Sequence, residues 1–424
     1  METNIPLADL DKPAVQRMND VIKTCVHCGF CLPTCPTYLE TGSELDSPRG
    51  RIYLMKGVLE NTLTMDDEVA QHIDACLGCL ACVTACPSGV QYNELIDNFR
   101  PKLEAEYART PLDRFSRWML SEVLPYRERF RLAVLLGTLG KPFAGLMPKP
   151  LKAMLSLLPT KGLPKREDFG EVIPAQGTRR ARVALLIGCV QTVLAPEINA
   201  ATIRVLTRNG VEVVIPRDQG CCGALTLHMG QREDGKQFAR RLMQAFPTDV
   251  DAVITNAAGC GSALKDYAHL FENEPDAQAA HDFSARAQDV SQFLADLGLA
   301  EQPTGLGRSL RIAYHDACHL GHAQGVRSQP RQLLMSIPNV EVVEVPEAEI
   351  CCGSAGVYNI TQLEMANDLL ARKVNNIGLT KTDGVVAGNI GCLTQIQRGI
   401  KSKGMWAVHT MQLLDWAYSG KFPL

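Results

Sequence analysis

Cys25-Val-His-Cys28-Gly-Phe-Cys31-Leu-Pro-Thr-Cys35-Pro36 and its echo, Cys76-Leu-Gly-Cys79-Leu-Ala-Cys82-Val-Thr-Ala-Cys86-Pro87, both read C-x2-C-x2-C-x3-C-P. This is the spacing of bacterial iron–sulfur loops, in which the fourth cysteine of each run ligates the other run's cluster. The rule assigns Cys25, Cys28, Cys31 and Cys86 to one [4Fe–4S] cluster, and Cys76, Cys79, Cys82 and Cys35 to a second. A tight loop wrapping one cluster presents three thiolates, while the residue beyond the turn points to the neighbour. Pro36 and Pro87 stop each loop from closing back. Thiolates also suit zinc, but zinc sites pair C-x2-C units rather than four cysteines followed by proline.

The bulk numbers bound the rest. At 424 residues the chain exceeds what one core usually organises, so two or three domains are expected. With 43 basic against 46 acidic residues and a net charge of −3, there is no general argument for nucleic-acid binding. Sixteen cysteines would suggest disulfides in a small secreted chain, but eight of these sit in the two runs. The first twenty residues hold several acids and no apolar signal core. A reducing cytoplasm that keeps thiols for metal fits this usage. No window approaches the roughly 20 apolar residues of a membrane span, so a soluble or surface-lying protein is expected.

The expected order is an α-helical module of two [4Fe–4S] clusters at 1–100, a helical connector and linker at 101–180, and two repeated Rossmann-like α/β domains at 181–305 and 306–424. Within the module, Ser47 can cap a helix with Pro48 at its first position, and Ile52, Met55, Val58 and Leu59 recur at helical period. Arg49 and Arg51 are placed to offset cluster charge, or form a solvated turn. In the connector, Arg114 to Leu120 and Arg127 to Gly140 interleave basic and apolar residues, 141–150 interrupts with prolines and lysines, and Leu151 to Leu158 resumes. A face packed on protein and a helix lying in a membrane interface give the same pattern. Gly162 to Arg180 reads as linker.

From Ala181 the chain repeats itself. Cys189, Cys221-Cys222 and Cys260 are matched by Cys318, Cys351-Cys352 and Cys392, at offsets of 129, 130 and 132 residues. Each half runs through a buried strand, a helix, a β-branched strand, Cys-Cys-Gly, a helix and a last strand, an alternation of parallel α/β units. Ligands in such sheets gather beyond the carboxyl ends of the strands, where all eight of these cysteines fall. They are candidates for a further cluster or for redox thiols, against the simpler reading of buried small hydrophobes. His315, His319 and His322 around Cys318 are candidate ligands or proton donors, against structural roles. Gly223 and Gly353 suit a backbone turning sharply beside a cluster.

With these motifs together, the chain resembles the iron–sulfur subunits of glycolate oxidase (glycolate dehydrogenase). Its Cys-Cys-Gly repeats are similar to those of heterodisulfide reductase, anaerobic glycerol-3-phosphate dehydrogenase and lactate-utilisation proteins. The resemblance implies an electron-transfer subunit of an acceptor-linked oxidoreductase acting on a CH–OH group, relaying electrons from FAD on partner dehydrogenase subunits to a quinone-type acceptor. It also implies a cytoplasmic position, peripheral on the cytoplasmic face of the inner membrane. No G-x-G-x-x-G after a strand, P-loop or H-E-x-x-H is present, so neither flavin nor NAD is expected on this chain, nor a catalytic residue for the hydroxy acid. D-lactate or glycerol 3-phosphate are alternative substrates of the complex, and a thiol–disulfide reductase of the heterodisulfide type is the alternative activity. Against that activity, the heterodisulfide repeat ends in C-x2-C, whereas here Ala257 and Asn389 stand at the first of those positions.

Overall fold

The structure, a computed structural model, describes residues 1–146, 149–159 and 162–423. The helix Pro48–Leu59 starts as its sequence dictates, with Ser47 Oγ accepting from the Gly50 N–H at 3.0 Å and Pro48 in the first turn. Its Ile52, Met55, Val58 and Leu59 are buried. They share one core with Met18 and Ile22 of the helix Pro13–Thr24 and with Leu95 and Phe99 of the helix Tyr92–Glu106. Each such burial contributes about 1.5–3 kcal/mol. Among the described residues no strand precedes Val172, so the cysteine-run module is helical.

Three connector helices follow, Pro111–Val123, Arg127–Gly140 and Lys149–Ser156. Leu120, Phe130 and Val134 turn inward, whereas Phe115, Trp118, Leu132, Leu136 and Leu139 are exposed. The expected interruption begins as a short 3-10 turn over Lys141–Leu146, and its Met147 and Pro148 lie outside the described residues. No helix among the described residues is long and apolar enough to cross a membrane.

Among the described residues nine strands form two sheets: β1 (Val172–Ile173), β2 (Ala181–Leu186), β3 (Val211–Val214), β4 (Ala252–Thr255) and β5 (Ala287–Asp289), then β6 (Leu310–His315), β7 (Val340–Glu344), β8 (Gly384–Ala387) and β9 (Trp406–His409). The orders are β1-β3-β2-β4-β5 and β7-β6-β8-β9. Every pair is parallel except β1, which lies antiparallel on β3. Without β1 the two orders are the same topology, as duplication requires. Two differences from the sequence reading stand out. The linker contributes β1, too short to show a period, and each half gains a fourth strand. Of these, β5 reads Ala-Gln-Asp, with no apolar run to mark it, and β9 follows the polar turn Lys401–Lys403.

The halves share a core. Helices after β2 (Pro196–Arg208) and β9 (Thr410–Ser419) pack together, as do those after β5 (Val290–Leu297) and β6 (Ser328–Met335). This exchange of first-strand and last-strand helices is what a pseudo-twofold axis produces. Val183, Leu185 and Ile254 of one sheet therefore belong to the same apolar cluster as Ile312, Val386 and Val408 of the other. Arg204 and Asp415 close the outer edge at 2.7 Å.

His409 joins the halves from within. Its Nε2–H donates to the Asn256 carbonyl at 2.9 Å, and its Nδ1 accepts from the Met411 N–H at 3.1 Å, capping the last helix. Burial lowers the imidazole from 6.5 to about 4. A depressed histidine contributes stability that is fully present above the unfolded value and is lost as pH falls through the folded one. Denaturation titrations of wild type and His409→Asn should therefore differ most near pH 7. The gap should narrow by about 3 kcal/mol between pH 6.5 and 4.

Candidate iron–sulfur sites

Two small cavities lie side by side in the helical module. One is lined by Cys25, Cys28, Cys31 and Cys86. The other is lined by Cys35, Cys76, Cys79 and Cys82, with Cys82 on the wall between them. Each run thus sends its fourth cysteine into the other's cavity. Left-handed backbone at His27, Gly29, Gly78 and Leu80 curls the loops around the cavities. Sulfur atoms receive donors from their surroundings: Gly78 N–H to Cys76 Sγ at 3.4 Å, Val90 N–H to Cys86 Sγ at 3.5 Å and the Tyr92 hydroxyl to Cys76 Sγ at 3.7 Å. Burial pushes the Cys31 thiol up to about 11 and holds Cys79 and Cys82 well above their ordinary value. Metal binding here therefore displaces protons. Soft thiolates with N–H donors aimed at them suit an iron–sulfur cluster.

The two arginines of the Ser-Pro-Arg-Gly-Arg turn differ. Arg51 is 1 % exposed and donates to the His72 carbonyl at 2.6 Å, Thr37 Oγ1 at 3.0 Å, Asp46 Oδ1 at 3.4 Å and Cys35 Sγ at 3.9 Å. It places a buried positive charge against the second thiol set. Arg49 lies over the first set, pairing with Glu44 at 2.5 Å and donating to the His27 carbonyl at 3.2 Å.

In the duplicated region each half gathers its four cysteines at the carboxyl edge of its sheet. Cys189 follows β2, and its sulfur lies 3.5 Å from Cys221 Sγ, while Cys260 sits in the first turn of the helix Ala258–Leu270 after β4. Hydrogen bonds from Cys221 and then Cys260 hold the Cys222 thiol well below its ordinary value, giving that set one favoured thiolate. In the second half Cys318 Sγ lies 4.0 Å from Cys351 Sγ, and Asn389 Nδ2 donates to Cys392 Sγ at 3.3 Å. His315, Cys352 and Cys392 offer ligand atoms within 4.8 Å of one another. Gly223 and Gly353 are at φ +78 and +84, and a β-carbon on either would press into the following helix, 2.9 Å from the Gly235 carbonyl oxygen or 2.7 Å from that of Ala366. Of the other histidines, His319 Nδ1 lies 3.5 Å from Cys318 Sγ and His322 bonds Thr84 Oγ1 at 2.8 Å, tying the half to the helical module.

The sets are contiguous in space. Cys79 packs in one apolar cluster with Cys318, Cys351 and Tyr358, whose hydroxyl donates to the Ala75 carbonyl at 3.0 Å. Behind both Cys-Cys-Gly turns lies an apolar chamber of about 500 Å³. Connector residues Leu120, Phe130, Val134 and Leu158 form its walls, and Val190, Leu225, Ser354 and Gly391, all close in sequence to the cysteines, line its inner side.

The Cysteine-rich domain family matches residues 183–265 and 312–397, and the 4Fe-4S dicluster domain family matches 21–90. The "Probable glycolate oxidase iron-sulfur subunit" of Bacillus subtilis (strain 168) is 36 % identical over 437 aligned residues, covering 98 % of each chain. This chain belongs to the glycolate oxidase iron–sulfur subunit family. The member from Escherichia coli (strain K12) is 36 % identical over 408 residues, 94 % of this chain and 95 % of that one. "Lactate utilization protein A" of Oceanobacillus iheyensis is 31 % identical over 240 residues, 55 % of this chain and 96 % of its own. As a family member with these domains, the chain is an iron–sulfur electron-transfer subunit.

Sequence reasoning missed two features of this family member. Lys373, 1 % exposed, donates to the Glu347 and Ala348 carbonyls beside the second Cys-Cys-Gly turn. In an amphipathic helix it reads as a solvated face. The chamber was equally invisible, because its walls come from segments more than 200 residues apart.

The contrast between the arginines is testable. Arg51→Met removes the buried donor to the His72 carbonyl, Thr37 Oγ1, Asp46 Oδ1 and Cys35 Sγ and should destabilise the folded protein by about 3 kcal/mol. Arg49→Met, on an exposed pair, should cost under about 1 kcal/mol. Denaturant midpoints of the two variants check the difference.

Proposed function

We propose that this chain is the electron outlet of a glycolate dehydrogenase complex, taking electrons from FAD on partner subunits to a membrane quinone from a peripheral position on the cytoplasmic face of the inner membrane. In this reading Cys25, Cys28, Cys31 and Cys86 hold one [4Fe–4S] cluster, and Cys76, Cys79, Cys82 and Cys35 hold the other. Bound clusters supply one-electron transfer, which a hydroxy-acid oxidation needs once a flavin has taken the electron pair. The observation that carries the proposal is the unbroken row of thiol sets. It runs from exposed Cys28 at the surface, through Cys79, to Cys318 and Cys351, and ends at an apolar chamber.

The chain's own residues fit that direction of flow. Val26 and Phe30, each 65 % exposed, flank Cys28 and give a partner subunit an apolar rim to cover. Arg51 stabilises negative charge on the inner set. At the far end, the chamber has the polarity of an isoprenoid tail, and Ser354 stands at its inner side two residues from Cys352, where a hydroxyl can donate to a quinone carbonyl. Exposed Phe115, Trp118 and Leu139 on the connector helices suit contact with a membrane interface.

The crossing of the fourth cysteines makes a specific expectation. In anaerobically purified protein, Cys35→Ser and Cys79→Ser should each remove the same paramagnetic signal, and Cys86→Ser the other, each with the iron and sulfide of one cluster. A Cys35→Ser variant that instead loses the signal lost with Cys28→Ser would overturn the assignment.

For the acceptor, the assembled complex should reduce a short-tailed quinone with glycolate, while the isolated chain should not oxidise glycolate at all. Ala133→Trp, which fills the chamber, should raise the KM for the quinone by about tenfold, ~1.4 kcal/mol of binding. Flavin reduction by glycolate should stay unchanged. Glycolate-driven dye reduction without any quinone reduction would count against the quinone.

A further inference from the structure

The two halves are duplicates in topology but not in the chemistry at the strand end. β2 pairs with β4 through Leu186 and Thr255, and β6 pairs with β8 through His315 and Ala387 in the same register. His315 therefore occupies the place that Leu186 holds in the first half. An imidazole in a position that a leucine fills elsewhere in the same fold needs a reason.

Its surroundings supply one. His315 is 1 % exposed, and neither Nδ1 nor Nε2 has a hydrogen-bond partner. Leaving a buried polar group unpaired costs about 1–3 kcal/mol. One ring nitrogen lies within 4.8 Å of the sulfurs of Cys352 and Cys392. A neutral imidazole nitrogen is a common metal ligand. The buried Lys373 ammonium, bonded to carbonyl oxygens, acts electrostatically on Cys352 and Cys351.

We propose that His315 is a nitrogen ligand of an iron–sulfur centre held by the second half together with Cys318, Cys351, Cys352 and Cys392. The first half has only Cys189, Cys221, Cys222 and Cys260 to offer, so the centres of the two halves differ in ligand chemistry. The inference rests on the reading that the second half binds iron, and it adds a ligand that no cysteine count reveals. Replacing an anionic thiolate by a neutral imidazole raises a cluster's potential.

The test uses the full-length protein purified anaerobically. Iron and sulfide in Cys352→Ser decide whether the second half binds a cluster: content equal to wild type removes the underlying reading. If Cys352→Ser loses iron, pulsed EPR of protein carrying 15N only in histidine decides the ligand. A strong histidine-nitrogen coupling in wild type, absent from His315→Leu and His315→Cys, supports ligation. His315→Cys should keep wild-type iron and lower the midpoint potential of that centre. Leucine already stands at the equivalent place in the first half, so His315→Leu should fold. A wild-type spectrum without strong histidine coupling, or a coupling that survives in both variants, overturns the proposal.

Discussion

Two loops that each complete the other's site impose the constraint on which the helical module depends. Because Cys35 enters the cavity of Cys76, Cys79 and Cys82, and Cys86 enters that of Cys25, Cys28 and Cys31, neither loop can form its site alone. The helix Pro48–Leu59 between them holds the two loops apart. It does so with one buried apolar face and with Arg51, whose hydrogen bonds reach Cys35 of the first loop and the His72 carbonyl in the helix that leads into the second. The same arginine that fixes distance also fixes potential, since a buried positive charge stabilises the reduced, more negative state of a neighbouring redox group.

What was legible in the sequence was whatever a short spacing or a period encodes. The cysteine runs announce the grouping that lines the two cavities, because a short loop fixes spacing within a few residues. The helix Pro48–Leu59 is announced by its cap, its proline and four apolar positions. The repeat is visible because Cys-Cys-Gly is rare enough to be counted. What stayed hidden arises between distant segments or in very short ones. β1 and β5 have two and three residues, fewer than one can test for alternation. Lys373 is an ordinary helical lysine until the fold closes over it. The role of His409 as the joint between the halves depends on Asn256, 153 residues earlier.

Duplication explains the architecture better than it explains the chemistry. The equivalent strand order, the exchanged helices and the two left-handed glycines are symmetric because packing demands it of both copies. Side chains facing the thiols carry no such demand. There the copies have drifted apart, Leu186 against His315 and Ala257 against Asn389, with one half resting on the helical module through Cys318 and Cys351 and the other walled by the connector at Val190. Symmetry in the scaffold thus leaves the two sites free to acquire different tasks.

The shared core also sets an order of events at the ribosome. The helix Pro196–Arg208 has its packing partner in Thr410–Ser419, the last helix of the chain. The first sheet therefore cannot fully bury its inner face until Thr410–Ser419 has been made and has packed. Until then the apolar inner faces of both sheets stay exposed, the condition under which a partly folded chain aggregates.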